Sequence, residues 1–287
     1  RAVDAFAAQL PQLDEALAQA QRNSDLVALL PALDALAGSG IDAAHDGDDV
    51  TVHLLGRQRM LAAAADDSYQ RLLKDAFLPR IAARLEARLR HSAGEPAART
   101  YETLRAYLML FGGKHLDADA LRAYFASDWQ ATLPESVGAA ERAALLRHLD
   151  QLLGRGEVGA PSHADAGLVA ATRARVQGVT LAQRAATRLR QQGGNAPRIA
   201  VDAGGVLVRA SGAALADLPP PRDSALSRAR TQQVLAELAQ EQSWVLGAAH
   251  ARAATPGLAD EVDRLVALDH AVFWQSVLDD LRLAPAP

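Results

Sequence analysis

The segments YQRLLKDAFLPRIAARLEARLR (residues 69–90) and TYETLRAYLMLFGGKHLDADALRAYFASDW (residues 100–129) decide the fold of this chain. In the first segment, large apolar residues recur at every fourth position: Phe77, Ile81, Leu85 and Leu89. This spacing follows the 3.6-residue turn of an α-helix and places these residues on one face, with Arg84 and Arg88 on another. The segment therefore predicts an amphipathic helix.

The second segment predicts two more amphipathic helices. In its first part, apolar residues follow one another at three- and four-residue steps: Tyr101, Leu104, Leu108 and Phe111. Its second part opens with Asp117, whose carboxylate can accept hydrogen bonds from the free amides of a first helical turn. Leu116 and Leu121 can pack together as a hydrophobic staple at the same helix start.

Pro79 interrupts the first of these helices. A proline in a helix interior removes an amide donor and crowds the preceding turn, at a cost of about 3 kcal/mol. Either the helix kinks there, or a new helix begins with Pro79 at its first position. We favour the kink, because Phe77 and Ile81 keep one face across the proline.

The composition is typical of a globular helical protein. Of the 287 residues, 49% are hydrophobic but only 4% are aromatic, so the core must consist mainly of Leu, Val and Ala. The net charge of −4 and the pI of about 6.1 argue against a general nucleic-acid binder. The absence of cysteine excludes disulfides, thiolate metal sites and cysteine nucleophiles, and it fits an oxidising compartment.

Two further patterns bear on the kind of protein. No run reaches the roughly 18 apolar residues that span a bilayer, and the chain does not open with a secretory signal. No G-x-x-x-x-G-K-[ST] loop for nucleotide phosphates is present. Because the first residue is Arg1, we expect the chain to be part of a longer protein.

The remaining segments also predict helices, with one exception. Residues 1–37 predict two short helices, the second with Ser24 as N-cap, Gly38 as terminator and an apolar face of Leu26, Leu29, Leu30, Leu33 and Leu36. Residues 130–192 continue as helices: LPESVGAAERAALLRHLDQLLG (133–154) with Gly154 suited to its C′ position, then about 164–177 and 180–192, the last with Thr180 as N-cap. In the exception, Ile199 and Val201 alternate before Gly204–Gly205, and Val206 and Val208 alternate after it, which predicts a β-hairpin.

Two long helices complete the predicted fold, at about 224–247 and 256–283. We expect Thr255 to cap the second of these, with Pro256 at its first position. Its expected core face comprises Val262, Leu265, Val266, Val272, Phe273, Val277 and Leu281. The predicted class is mainly α, a multi-helix bundle with a small β-hairpin near residues 198–209. Three segments are expected: 1–65, a helical hairpin and polar loop; 66–192, a central bundle; and 193–287, the β element and two long helices.

Six blocks of the sequence, in collinear order, resemble the periplasmic part of the IcmF/TssM family. The blocks are LLGRQRMLAAAADDSYQRLLKDAFLPRIAARLE (54–86), YETLRAYLML (101–110), LDADALRAYFASDW (116–129), ERAALLRHLDQLL (141–153), LAQRAATRLR (181–190) and WVLG (244–247). The family is the large inner-membrane subunit of the bacterial type VI secretion membrane complex. None of the blocks is a catalytic signature, so the resemblance implies a scaffold and not a reaction.

The resemblance also implies a setting. In the family, membrane-spanning helices and a cytoplasmic nucleotide-binding-type domain precede this region, so the chain would be a periplasmic segment of an inner-membrane-anchored protein. The implied partners are a TssL-like inner-membrane protein, a TssJ-like outer-membrane lipoprotein and further copies of the protein itself. The family contacts the lipoprotein mainly through a β-rich region C-terminal to this one, so we expect weak or no binding by this chain alone. The segment DLPPPRDS (217–224) departs from the family pattern and puts any contact made there in doubt.

Few residues suggest chemistry. The loop from Gly38 to His53 carries a cluster of possible hard-cation ligands: Asp42, His45, Asp46, Asp48, Asp49 and His53. The EF-hand spacing is not met, and a solvated loop of this composition is the more ordinary interpretation. His148, His250 and His270 are expected to be surface or core-edge histidines, and Ser211 lacks the G-x-S-x-G context of a nucleophile. We therefore assign no catalytic, cofactor or metal residues.

The tryptophans are the candidate partner-binding residues. Trp129, Trp244 and Trp274 can each fill a gap in an aromatic-poor core, or one of them can anchor a partner, as Trp often does in interfaces. The sequence favours a non-enzymatic structural segment of a type VI secretion protein that works by helix packing and docking. Two alternatives stay open: a stand-alone helical binding or regulatory module related to the same family, and an enzyme with an unfamiliar helical active site.

Overall fold

Helices dominate the structure, a computed structural model that describes residues 26–45, 63–111, 113–154, 163–193, 207–209, 224–247 and 256–283. The helices are α1 (Leu30–His45), α2 (63–72), α3 (Leu78–Arg90), α4 (Ala97–Phe111), α5 (Ala118–Thr132), α6 (Ala139–Leu153), α7 (Ala166–Val176), α8 (Leu181–Gly193), α9 (Ser224–Val245) and α10 (Leu258–Asp280). Two strands, β1 (Leu207–Arg209) and β2 (Leu281–Leu283), form a small sheet. The predicted mainly α class is confirmed.

The chain forms two compact units. Of the described residues, those within 1–91 and 105–168 form unit 1, and those within 92–104 and 169–287 form unit 2. Helix α4 contributes residues to both units, and residues 101–107 of this helix are all buried. The three segments expected from the sequence stay a prediction. Each of the two units combines residues from separate parts of the sequence, so the units do not test a division into consecutive segments.

The core of unit 1 follows the predicted apolar faces. Helix α6 packs against α1 and α5, and it also contacts the turn that joins α2 to α3. The residues predicted to form the inner face of α3 and its preceding turn are all 0% exposed: Phe77, Ile81, Leu85 and Leu89. The predicted Leu face before and within α1 is buried as well. Asp117 caps α5, because its Oδ1 accepts from the Ala120 amide at 2.9 Å.

A π-helical turn absorbs Pro79. Residues Leu73–Phe77 form this turn, and the Leu78 amide donates to the Leu73 carbonyl five residues back. The backbone stays in the right-handed helical region at Phe77 and Leu78, so α2 and α3 continue across the proline. A π-turn inserts an extra residue into the helix, which is a known way to accommodate a disturbed ladder of hydrogen bonds. The kink expected at Pro79 stays a prediction; the structure shows a π-helical turn directly before the proline.

Gly38 does not end the second predicted helix, because α1 extends to His45. A glycine in a helix interior costs about 1 kcal/mol relative to alanine, so it lowers helix stability without forbidding a helix. The first predicted helix lies outside the described residues, and so does Ser24, the predicted N-cap of the second helix. The predicted αα-hairpin of residues 1–37 therefore stays a prediction.

In unit 2, α8 packs against both α9 and α10, which also contact each other. Thr180 caps α8 as predicted, and the bond is reciprocal: Thr180 Oγ1 accepts from the Gln183 amide at 3.1 Å, and the Thr180 amide donates to Gln183 Oε1 at 3.0 Å. Helix α9 ends before Gly247, whose φ of 94° is a left-handed conformation that glycine adopts without strain.

The small sheet differs from the predicted hairpin. Strand β1 pairs with β2 in antiparallel register, with Val208 opposite Arg282. The other predicted arm, around Ile199 and Val201, lies outside the described residues. Alternation of apolar residues identifies a strand but carries no information about its partner, which here comes from the end of the described chain.

Helix α10 differs from its prediction in its start, its end and its core face. It begins at Leu258 after Gly257, which has a φ of 84°, so Pro256 precedes the helix and is not its first residue. It ends at Asp280, and Leu281 belongs to β2. Val262 and Val277 are buried as expected, but Val272 is 63% exposed. The predicted core face was therefore too wide, because α10 carries apolar residues on both sides.

Within the described ranges, the structure contains no helix that combines the length and the apolar character needed to cross a bilayer.

Candidate functional site

A buried ionic cluster links three helices of unit 2. The guanidinium of Arg188 on α8 donates to Glu102 on α4, with Nη2 2.9 Å from Oε1, and to Glu241 on α9, with Nη2 2.7 Å from Oε2. A second nitrogen, Nη1, reaches Oε1 of Glu241 at 2.9 Å. The exposed fractions of the Arg188, Glu102 and Glu241 side chains are 4%, 3% and 11%. The three charges are thus removed from water together.

The two carboxylates keep Arg188 charged. Burial by itself disfavours the charged guanidinium, but the negative charges of Glu102 and Glu241 outweigh this and raise the pKa of Arg188 above its ordinary value. Guanidinium geometry suits two carboxylates at once, because its donors form a rigid planar fork. Lysine could not make the same set of contacts.

Tyr101 and Arg184 extend this cluster. The Tyr101 side chain is 0% exposed, and the guanidinium carbon of Arg184 lies 4.8 Å from its ring centroid, within cation–π distance. Arg184 also donates to the Val179 carbonyl at 2.7 Å. The pKa of Tyr101 is raised mainly because the phenol is buried. The nearby negative charges of Glu241 and Glu102 raise it further. The phenol is therefore neutral and acts as a packing surface, not as a base.

A second buried carboxylate joins two helices of unit 1. Asp128 on α5 pairs with Arg88 and with Arg84 of α3, the latter with Nε 3.5 Å from Oδ2. Arg84 also donates to Thr132 Oγ1 at 2.6 Å. Burial raises the pKa of Asp128, and the two arginines oppose that rise. The arginine face predicted for α3 is thus a helix-packing face and not a solvated one.

A hydrogen-bond chain of three residues links α1, α2 and α6. The Tyr69 hydroxyl lies 2.8 Å from Nδ1 of His148, and Nε2 of His148 lies 3.0 Å from Oδ1 of Asp34. Because an ionised carboxylate can only accept, Nε2 must carry the proton, and Nδ1 then accepts from Tyr69. Arg147 supports Asp34 from the solvent side, with Nη2 3.4 Å from Oδ1.

This chain has the order of an Asp–His–hydroxyl triad, and burial shifts the pKa values of its histidine and its hydroxyl group. Burial, and then the charge of Asp34, raise the pKa of Tyr69 to about 12, so its phenolate is not accessible at neutral pH. Burial also lowers the pKa of His148 below 6.5, whereas the hydrogen bond that His148 donates to Asp34 acts to raise it. Tyr69 is 5% exposed and His148 2% exposed. The expectation that His148 lies at the surface or at the edge of the core is therefore wrong, because its ring is buried between helices. The arrangement favours a tie between helices.

A small cavity of about 290 Å³ lies in unit 2 between the start of α4, α8 and α10. Its walls are mainly apolar, with Ala98, Ala186 and Leu265 among them. Arg190 and Asp269 form an ion pair at 3.2 Å on its edge. A volume of this size is at the lower limit of small-molecule sites. The charged groups on its wall bind each other.

The three tryptophans occupy different environments. Trp129 is 1% exposed and packs against Phe125, with ring centroids 5.2 Å apart, so it fills the core and offers no surface to a partner. Trp244 is half-buried, and its carbonyl accepts from Arg173 at 2.9 Å. Trp274 is also half-buried, and its indole Nε1 donates to His270 Nε2 at 3.1 Å. A partner-binding role for Trp244 or Trp274 stays a prediction.

The loop with possible hard-cation ligands, to which the sequence assigns no metal, is mostly outside the described residues. Asp42 and His45 lie in α1, whereas the positions from Asp46 to His53 are not described. Across the part of the chain that the structure describes, no group of three or more His, Asp or Glu residues could hold a metal ion. His250 and Ser211 also lie outside the described residues.

The buried bridges were not recognised from the sequence. Glu102 is 86 positions from Arg188, and Glu241 is 53 positions from it, so neither pairing has a local pattern. One signal was present: Glu102 follows Tyr101 inside the apolar run of α4, where a charge needs a buried partner.

The geometry defines a mainly α-helical protein of two compact units, in which buried ionisable groups connect helices. Comparison with known proteins identifies the family to which this helical protein belongs. The model of the IcmF-related family, described as intracellular multiplication and human macrophage-killing, matches residues 26–287. The chain belongs to this family, and the resemblance seen in the sequence is confirmed.

A curated relative agrees with this assignment. The chain is 33% identical over 300 residues to the type VI secretion system component TssM1 of Pseudomonas aeruginosa. The match covers 99% of this chain and 26% of that protein, so the chain spans about a quarter of the relative's length. No solved structure matches.

The Arg188 cluster predicts a characteristic pattern of stability. Arg188→Met should lower the free energy of unfolding by about 3–5 kcal/mol, because it leaves two carboxylates buried without a cation. The triple variant E102L/R188M/E241L should recover most of this loss, because an apolar trio of similar volume leaves no buried charge unpaired. Urea titration followed by circular dichroism measures both; a loss below about 1 kcal/mol for Arg188→Met would contradict the role assigned to the cluster.

His148 predicts a pH dependence of stability. Because burial lowers the pKa of His148 in the folded state, the unfolded state takes up the proton more readily as the pH falls below 6.5. The melting temperature should therefore fall between pH 7.5 and pH 5.5 by more in the unsubstituted protein than in His148→Gln, whose amide can bond both neighbours without titrating. His163→Gln, at an exposed histidine, is the control. Equal pH profiles for all three proteins would show that His148 does not titrate differently on folding.

Proposed function

We propose that this chain is a non-enzymatic structural segment of a type VI secretion membrane-complex protein, placed in the periplasm. It acts as a scaffold, because its packed helices hold a fixed shape and present surfaces to other subunits. Membership of the IcmF-related family and the similarity to TssM1 support the link to type VI secretion.

The main support for the proposal is that the buried charged and polar groups bind one another and join helices. Arg188 binds Glu102 and Glu241, Asp128 binds Arg88, and His148 links Tyr69 to Asp34. In each case the polar groups join helices of one unit and satisfy one another. An enzyme instead keeps convergent polar groups open to a substrate. These clusters resist separation of the helices, which is what a load-carrying scaffold needs.

The proposed partners are the other subunits of the same complex: a TssL-like inner-membrane protein, a TssJ-like outer-membrane lipoprotein and further copies of the protein. Contact with the lipoprotein is assigned mainly to a region outside this chain. The described helices provide rigid surfaces for docking, since buried ion pairs and apolar faces fix them against their neighbours.

Secretion assays with substituted full-length protein separate a scaffold from an enzyme. Arg188→Met should reduce secretion of a type VI substrate, and E102L/R188M/E241L should restore it, because a scaffold requires the shape and not the ionic groups. Tyr69→Phe should leave secretion within about twofold, whereas loss of an acid–base catalyst would cost about a hundredfold or more. A stable triple variant that cannot secrete would argue against the scaffold role.

Cysteine labelling tests the proposed compartment. The chain has no cysteine, so Arg99→Cys in a full-length background without other cysteines introduces one exposed thiol. A membrane-impermeant maleimide should label it once the outer membrane is opened and the inner membrane is intact. Ala182→Cys, at a position that is 0% exposed, should react only after denaturation. Labelling of Arg99→Cys that requires lysis of the inner membrane would place the segment in the cytoplasm instead.

A further inference from the structure

The outer face of α10 carries an unusual concentration of exposed apolar side chains. The large hydrophobic residues that are exposed in the described part of the chain all lie between positions 268 and 283: Leu268 at 61%, Val272 at 63%, Leu278 at 59% and Leu283 at 75%. Three of them belong to α10. Single exposed apolar residues are ordinary on a protein surface, but a cluster on one element marks an interaction site.

The exposed residues of α10 follow the spacing of a helix-pairing seam. Arg264, Leu268, Ala271, Gln275 and Leu278 are all exposed and succeed one another at alternating four- and three-residue steps. This is the spacing of the positions through which two helices pack along their length. We call these five residues the α10 stripe. Helix α10 has 23 residues and is about 34 Å long, so the stripe runs along most of it.

The opposite face of α10 is already in use within unit 2. Val262 and Val277 are buried, and α10 packs against α8. Asp263 accepts from Thr231 of α9 at 3.0 Å, and Asp269 pairs with Arg190 of α8. These bonds fix the rotation of α10 about its axis, which keeps the stripe directed outward.

The charges at the two ends of the stripe indicate what covers it. Arg264 lies on the stripe and Asp279 is beside its last residue, and the two positions are equally far from the midpoint between Ala271 and Val272. If a second α10 lies antiparallel across this midpoint, Arg264 of each copy comes opposite Asp279 of the other. A parallel pair would instead place Arg264 against Arg264 and Asp279 against Asp279, and like charges across an interface are unfavourable.

We propose that the α10 stripe is a self-association surface, in which two copies of this chain pair through antiparallel α10 helices about a twofold axis near Ala271. The inference rests on the proposed scaffold role and assigns a surface to the self-association that this role includes. A contact between identical patches is the usual form of a twofold interface. The small side chain of Ala271 allows close approach at the centre, and Leu268 and Val272 lose their exposure on either side.

The expected association is weak in isolation. One helix pair is at the low end of the interface sizes that give stable complexes. In an assembled complex, other contacts between the same copies would raise its effective strength, because the second contact is then intramolecular. For the isolated chain, a dissociation constant on the order of tens of micromolar is expected.

Sedimentation equilibrium of the 287-residue chain, at concentrations up to about 500 µM, tests the interface. The unsubstituted chain should be in monomer–dimer equilibrium. Ala271→Glu should weaken dimerisation by about tenfold or more, because it brings two carboxylates together at the axis. Ala174→Glu is the matched control, since Ala174 is an exposed alanine on α7, away from the stripe; it should have no effect.

Charge reversal provides the sharper test. Arg264→Asp and Asp279→Arg should each weaken the dimer by about tenfold, and the combined R264D/D279R variant should restore it, because the pairs form again with exchanged signs. Arg99→Asp, at an exposed arginine of α4, controls for net charge. Thermal melting of each variant reports folding separately.

Three results would overturn the proposal: a chain that stays monomeric throughout, a double variant as weak as the single ones, or an Ala271→Glu variant that melts lower without a change in mass. The last result would show that a segment of the same chain covers the stripe. A monomeric chain would leave the scaffold role standing if secretion still depends on the Arg188 cluster, so the two proposals fail separately.

Discussion

Arg188 holds a positive charge in the interior of unit 2, where its side chain is 4% exposed. An isolated charge in such a place would be strongly destabilising, so the position of Arg188 is acceptable only while Glu102 and Glu241 are beside it. The requirement for charge pairing holds three helices together, because the three residues belong to α8, α4 and α9. Any movement that separates one of these helices leaves at least one charge without its partner.

Unit 1 also contains buried polar groups that link helices, although the residues are different. Asp128 connects α5 to α3 through Arg88, and His148 connects α6 to α1 and α2 through Asp34 and Tyr69. Apolar packing supplies most of the stabilisation in such a core, but it tolerates sliding of one helix along another. Directional bonds between buried groups select one alignment. The protein therefore combines an Ala- and Leu-rich interior with a few polar ties that fix register.

Helix α10 shows how this organisation would serve the proposed assembly. Its inner face is fixed to α8 and α9 by Val262, Asp263 and Asp269, and its outer face carries the stripe. A surface used for docking must keep its orientation under load, and the inner contacts provide that. The half-buried Trp244 and Trp274 lie on the same two C-terminal helices, α9 and α10. This part of unit 2 combines exposed apolar surface with aromatic residues, which is the composition of many docking surfaces.

The sequence alone determined where most helices lie and which faces of several are buried, although not every helix end, because periodicity and caps are local. The face of Phe77, Ile81, Leu85 and Leu89 is buried, and Asp117 and Thr180 cap their helices as their side chains require. The family could also be recognised from collinear blocks. Pairing was decided only by the tertiary structure, since Arg188 meets carboxylates far away in sequence and β1 meets β2. The exposure of Val272 was likewise decided only by the tertiary structure. The sequence does not distinguish an apolar residue on a buried face from one on an exposed face, because burial depends on which helices pack against that face.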